Sequence, residues 1–287
     1  MNKQLVRELI SAGVHFGHGA SRWHPKMSQF IFAKRGKIHI IDVRKTLKWL
    51  LVAQKLLIEV VSSGKDVVFV GTKRQARKAV REAAQQCNMH YVSTRWLGGT
   101  LTNFRTIRSR VQRLEELEAM QEAGTFESES KKRASRLKAE LRKVKNNLEG
   151  IRKMSRLPGA VVIVDANKEY IALHEARKLY IPTIGIIDTD SNPGMVDIAI
   201  PANDDSSKAV DLLLGELSDA VGIGKTRTVA QEGPARRMRK ARSRRPVLAR
   251  ANEQNEQTEG SSTEAQQTES KQEVSEEQQQ RPEANTS

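Results

Sequence analysis

Two periods of apolar residues take turns along most of this chain. The runs DVVFVG (66–71), AVVIVD (160–165) and TIGIID (183–188), with a shorter one at 198–200, are nearly continuous in Val and Ile. Strands buried on both faces read this way, because neither face needs a polar residue. Helix-period patterns follow them at 74–86, at 168–179 and from 206 to about 220. The alternation predicts an α/β domain with a mostly parallel sheet and helices on both faces. Ahead of it, residues 5–11 read as a short helix ending near Gly13. QFIFAKRGKIHIID reads as a hairpin turning at Gly36, and residues 44–61 as a long amphipathic helix.

The alternation breaks at residues 102–154, where two long helical patterns flank a short loop at 124–128. In the second helix Ala134, Leu137, Leu141, Val144, Leu148 and Ile151 recur in steps of three and four, the spacing of a coiled-coil seam. Ile107, Val111, Leu114 and Leu117 form a less regular stripe on the first. An antiparallel helical hairpin inserted between residues 1–101 and 155–224 of the α/β domain is therefore expected. Two helices packed on the sheet are the alternative. The hairpin's outer face would carry Lys131, Lys132, Arg133, Lys138, Arg142, Lys143 and Lys145. Beyond it, residues 225–250 are strongly basic. Residues 251–287, rich in Gln, Glu, Ser and Thr, have too little apolar surface to fold alone, so a disordered acidic tail is expected.

Charge changes the picture from scaffold to partner. The net charge is +15 over 287 residues, yet 251–287 holds nine glutamates against Lys271 and Arg281, which leaves +22 on residues 1–250. A surplus of that size favours a polyanion, RNA first. Cys87 is the only cysteine, which excludes a disulfide within the chain and a cysteine-based zinc site. The polar N-terminus does not read as a signal peptide, and no apolar run approaches the length of a membrane span. A cytoplasmic protein with no membrane partner is expected.

The segment TRWLGGTLTNFRTIRSRVQR (94–113) carries five arginines and no acid, with Trp96 and Gly98-Gly99 at its start. Fixed charge beside flexible backbone suits a phosphate surface. Candidate RNA-binding residues are Lys26, Lys34, Arg35, Lys37, Lys73, Arg74, Arg95, Arg105 and Arg108, with Trp96 a packing anchor for the turn rather than a stacking platform. Catalytic chemistry finds no comparable set. Gly224-Lys225-Thr226 resembles the end of a phosphate loop, but Asp219 stands where the first glycine belongs. Asp165, Asp188, Asp204 and Asp205 end or follow strands and would gather at one sheet edge, with His18 as a further metal ligand. The competing reading makes them helix N-caps. The glycines of GVHFGHG argue that His15 and His18 lie in a turn. No cofactor, small-molecule substrate or catalytic group is expected.

LISAGVHFGH (9–18), WHPKMSQFIFAKRGKIHIID (23–42), FVGTKRQA (69–76), RWLGGTLTNF (95–104), LPGAVVIVDANKEYIALHEA (157–176) and IPTIGIIDTDSNP (181–193) together resemble bacterial ribosomal protein two of the small subunit, across roughly residues 1–222. The resemblance implies a Rossmann-like α/β domain with a projecting coiled-coil hairpin. It also implies a non-catalytic role in binding 16S rRNA between head and body, with other small-subunit proteins as neighbours and ribosomal protein one anchored nearby. Tyr180 departs from the family pattern, which more often has glycine or a polar residue before Ile-Pro. Two other classes stand beside this one: a free-standing RNA-binding regulator, and a metal- or nucleotide-dependent α/β enzyme using the strand-end aspartates.

Overall fold

In the computed structural model, which describes residues 3–128 and 130–231, the Val/Ile runs are the centre of the protein. Every residue of β4 (Val67–Val70), β6 (Ala160–Val164) and β7 (Thr183–Ile187) is buried. With β5 (His90–Val92) and β8 (Ile198–Pro201) they form a parallel sheet of order β5-β4-β6-β7-β8. The apolar pattern does not predict β5. It is a three-residue edge strand in which His90 and Tyr91 stay half-buried, so no apolar run marks it.

Alternate residues of each strand feed two separate cores, as the period of two requires. Val67, Phe69 and Val162 pack with Leu50 and Leu57 of α2 (Val43–Ser62), Val80 of α3 (Arg77–Gln86) and Leu213 of α8 (Ser207–Gln231). Val68, Val70, Val161 and Ile163 pack on the other face with Leu173 of α7 (Tyr170–Lys178). Asp42 caps α2, its carboxylate accepting from the Arg44 N–H at 3.0 Å. The last helix, expected to end near residue 220, runs on to Gln231. Lys225 explains why: its Nζ donates to the carbonyls of Cys87 and Asn88, at 2.5 and 3.0 Å, and closes the end of α3. Gly224-Lys225-Thr226 therefore lies inside a helix, not in a phosphate loop.

The inserted helices are α4 (Phe104–Glu122) and α6 (Lys131–Leu148), joined through a single short turn of helix, α5 (Thr125–Ser128), where a loop was expected. Their seam does two jobs. Ile107, Val111, Leu148 and Ile151 join the sheet core, while Leu114, Leu117, Phe126 and Leu141 close on one another as a separate cluster. The seam thus closes helix on helix only in its outer half. Lys145 pairs with Glu118 at 2.8 Å, so it is not a free cation of the outer face. Replacing residues 113–142 with a short Gly-Ser linker is expected to leave cooperative unfolding of the α/β domain intact by circular dichroism. Loss of the cooperative transition would place the outer half in the core.

A second sheet comes from the N-terminal motifs. After α1 (Lys3–Ser11), β1 (Phe16–Gly19), β2 (Ile31–Arg35) and β3 (Ile38–Ile41) pair antiparallel in the order β1-β3-β2. The expected hairpin is β2–β3, and GVHFGHG divides: residues 13–15, with His15, form the expected turn, while Phe16–Gly19, with His18, form β1. Gly17 allows it, because a Cβ there would lie 2.6 Å from the Thr189 side chain. Backbone contact, not local turn propensity, decides the second half of this segment.

The departure at Tyr180 sits at the end of α7. The Tyr180 N–H donates to Arg177 O at 3.2 Å and the Ile181 N–H to Ala176 O at 3.0 Å, a Schellman ending. Tyr180 takes the left-handed position, φ +53°, that glycine usually fills. Tyr180→Gly is expected to raise stability by about 1 kcal/mol, read from urea denaturation.

Candidate nucleic-acid interface

The loop before α4 is built around one buried carboxylate. Glu175, on the inward side of α7 and 6% exposed, accepts from Trp96 Nε1 (3.1 Å) and from the N–H groups of Gly99 (2.7 Å), Leu101 (2.9 Å) and Thr102 (3.1 Å). The Thr102 hydroxyl adds a fifth contact at 3.2 Å. Burial works against the charge, but the donors outweigh it and hold the Glu175 carboxyl below the usual carboxylate range. Gly99 has φ +87°, so the loop needs glycine there as well as its N–H. Trp96 is buried in the sheet core, as a packing anchor should be. The consequence is a fixed loop that presents Arg95 at its start and Arg105 one residue into α4. Sequence reading did not single out Glu175. The available signal was its place beside Ala172 and Ala176 on the apolar stripe of α7.

The candidate cations divide into two sets. Lys26, Lys34, Arg35, Lys37, Arg74, Arg95 and Arg105 are exposed. Among the described residues, their side chains make no ion pair or hydrogen bond with the protein. Lys34, Arg35 and Lys37 cluster at the tip of the β2–β3 hairpin. Arg108 and Lys73 are committed elsewhere. Arg108 is half-buried, and its Nη1 donates to the carbonyls of Arg152 and Met154, each at 3.1 Å, tying α4 to the chain beyond α6.

Lys73 lies at the end of β4, where the strand order reverses between β4 and β6. Open α/β sheets usually bind ligands at that point. Here its ammonium contacts Asp204 Oδ1 at 2.7 Å and Asp205 Oδ1 at 2.5 Å, with Asp165 Oδ2 at 3.7 Å. Next to it, His18 Nδ1 is 2.8 Å from Asp188 Oδ2 and Nε2 is 3.1 Å from Asp205 Oδ2. The Nδ1 contact is close in distance but off the hydrogen-bond direction, so it acts through charge. The His18 backbone N–H also donates to Thr189 Oγ1 at 2.9 Å and to Asp188 Oδ1 at 3.2 Å. The N-terminal sheet is thereby stitched over the edge of the parallel sheet, across the customary ligand crevice.

The titrations follow from this crowding. Pairing with Asp188 raises His18 from 6.5 to about 9 against the opposing effect of burial. Burial raises Asp204 from 3.8 to about 7, Lys73 opposes it, and the charges of Asp165 and Asp188 add to it. Burial disfavours the Lys73 charge, yet the hydrogen bonds to Asp204 and Asp205 outweigh it and raise its pKa. The Lys73 and Asp204 shifts pull a touching pair in opposite directions. The protonated lysine is the secure half, because several carboxylates share it.

Of the expected metal donors, His18, Asp188 and Asp204 bring ligand atoms within 4.8 Å of one another. The ammonium of Lys73 supplies positive charge to Asp165, Asp204 and Asp205. The competing N-cap reading holds in part. Asp165 Oδ1 does accept from Asn167 and Lys168 in the turn before α7, at 3.1 and 3.2 Å. At α8, however, Ser206 Oγ accepts from the Ala209 N–H at 3.4 Å, while Asp204 and Asp205 turn to Lys73. Arg236–Arg245 of the basic run and the acidic tail lie outside the described residues.

Fold and edge together define an α/β binding scaffold whose ligand crevice is closed by its own N-terminal sheet and ion pairs. The chain belongs to the ribosomal protein S2 family, whose profile it matches over residues 9–224. It is similar to the small ribosomal subunit protein uS2 of Rhodopirellula baltica, at 51% identity over 234 residues, 82% of this chain and 90% of that one. Membership makes it a structural component of the small ribosomal subunit and not an enzyme. No helix among the described residues is long and apolar enough to cross a membrane.

Proposed function

We propose that this chain binds 16S rRNA within the small subunit, in the cytoplasm, through a face made by the β2–β3 hairpin tip and the loop before α4. Lys34, Arg35, Lys37, Arg95 and Arg105 are its main cations, with Lys26 and Arg74 beside them. The observation that carries this reading is the contrast in commitment. These seven side chains are exposed without partners among the described residues, and buried Glu175 holds still the loop between Arg95 and Arg105. Unpaired cations on a rigid support suit phosphate contacts, which position an RNA without reading its sequence. Arg95→Ala with Arg105→Ala is expected to weaken subunit incorporation and to lower the salt dependence of RNA binding by about 0.7–0.9 log units per lost phosphate contact. Unchanged incorporation across a salt series would overturn the assignment.

Ribosomal protein one is the finer partner, supported by the family resemblance and by exposed apolar side chains on the N-terminal sheet. Phe32 is 75% exposed, and Phe16 and Ile38 are nearly half exposed. Exposed apolar side chains of this kind suit a protein partner. The acidic tail, at −7, fits a role as a competitor that keeps unrelated RNA off the basic run before it.

A further inference from the structure

We propose that the outward face of α7, from Tyr170 to Tyr180, is a second RNA-binding surface, on which an unpaired base stacks against Tyr180 while flanking phosphates lie on Arg177 and Lys178. The inference rests on the rRNA-binding reading and adds a contact to it.

Both acids at this helix point away from the surface: Glu169 and Glu175 are buried, the first against Thr72 and the second under the Trp96 loop. What remains outside is Tyr170, Ile171, His174, Arg177 and Lys178, without a carboxylate. Arg177 and Lys178 alone decide nothing, since Arg177 Nη2 also donates to the Gly194 carbonyl at 2.9 Å and cations at a helix C-terminus offset its dipole. Tyr180 decides. It is 95% exposed, so packing within the chain does not account for its ring. It also holds the left-handed backbone position that glycine fills without strain. A bulky residue kept in a disfavoured conformation, with its ring in solvent, is placed for something outside the chain.

The surroundings specify a base. A cavity of about 310 Å³ beside the ring is lined by Arg177, Tyr180, Ile181, Pro182, Thr183 and Asp197. Asp197 is exposed, and its Oδ2 accepts from the Thr183 N–H and hydroxyl, each at 2.8 Å. A carboxylate at that rim repels phosphate. The cavity therefore suits an uncharged base, with the phosphates kept to the Arg177 and Lys178 side. Stacking on an aromatic ring beside cations is the way unpaired RNA is held, and a duplex offers no free base face to it.

The test uses the full chain, a small-subunit rRNA transcript, a short oligoadenylate and a duplex of the same length. Tyr180→Gly relieves the backbone, so weaker binding by this variant does not report unfolding. It is expected to bind the transcript and the oligoadenylate about tenfold more weakly, with unchanged salt dependence and no change on the duplex. Tyr180→Phe is expected to bind like the unaltered chain. Arg177→Ala with Lys178→Ala is expected to lower the salt slope by about 1.4 log units. If Tyr180→Gly binds as tightly as the unaltered chain while Arg95→Ala with Arg105→Ala does not, the α7 surface is overturned and the rRNA reading stands. If all these variants bind equally well, both fall. Unchanged RNA affinity with lost subunit incorporation would make the surface a protein contact and overturn the proposal.

Discussion

Glu175→Gln is expected to destabilise the protein by about 3 kcal/mol in urea denaturation and to reduce subunit incorporation with it. The substitution keeps the volume but replaces one acceptor oxygen by an NH2 group facing backbone donors. Hydrogen bonds to a charged group are worth about 1.5–3 kcal/mol each, and a donor left buried without a partner costs a similar amount. Several of Gly99, Leu101, Thr102 and Trp96 would lose their acceptor together. Because the folded-state pKa of Glu175 is depressed, its contribution is present above its ordinary value of 4.5 and is lost as pH falls through the folded pKa. The difference between the two proteins should therefore be full at neutral pH and shrink in acid. A variant that unfolds with the native midpoint at pH 7 would show that the loop is held by something else.

Lys73→Met carries the second large effect. Removing the ammonium leaves Asp204, 1% exposed, beside Asp165 and Asp205 with no cation in contact except His18 on Asp205. Breaking a buried pair from one side costs about 3–5 kcal/mol. The loss should deepen as pH rises through 7, because protonation of Asp204 relieves the unpaired charge. In the unaltered protein, His18 has a raised pKa. Its contribution is complete below 6.5 and is lost as pH rises through about 9. Stability should thus fall by about 2 kcal/mol between pH 7 and pH 9.5, allowing for partial exposure of the ring. His18→Asn should flatten that decline. A pH-independent stability in the unaltered protein over this range would sink the account of the cluster.

What the sequence shows and what it hides differ by range of interaction. The buried strands and their helices are legible because Val/Ile runs and helix-period stripes are local signals. The 134–151 seam sits on the helix it shapes. Glu175 is hidden because five donors meet it from a loop more than seventy residues away. Lys73 looks like one more surface cation until the fold brings Asp165, Asp204 and Asp205 around it. The turn expected at GVHFGHG holds at residues 13–15 but gives way at Phe16–Gly19 for a similar reason, since Thr189 recruits that half as a strand. The edge strand at His90–Val92 is too short and too polar to announce itself. The exposed cations of the proposed RNA face were legible as charge, but only the fold separates them from the spent ones.

The most direct test is sedimentation of the full chain with small ribosomal subunits through a sucrose gradient at moderate salt. The account predicts stoichiometric co-migration with the subunit, released as salt rises and weakened in Arg95→Ala with Arg105→Ala. A chain that stays at the top of the gradient while still binding free RNA would contradict it and identify a free-standing RNA-binding protein instead.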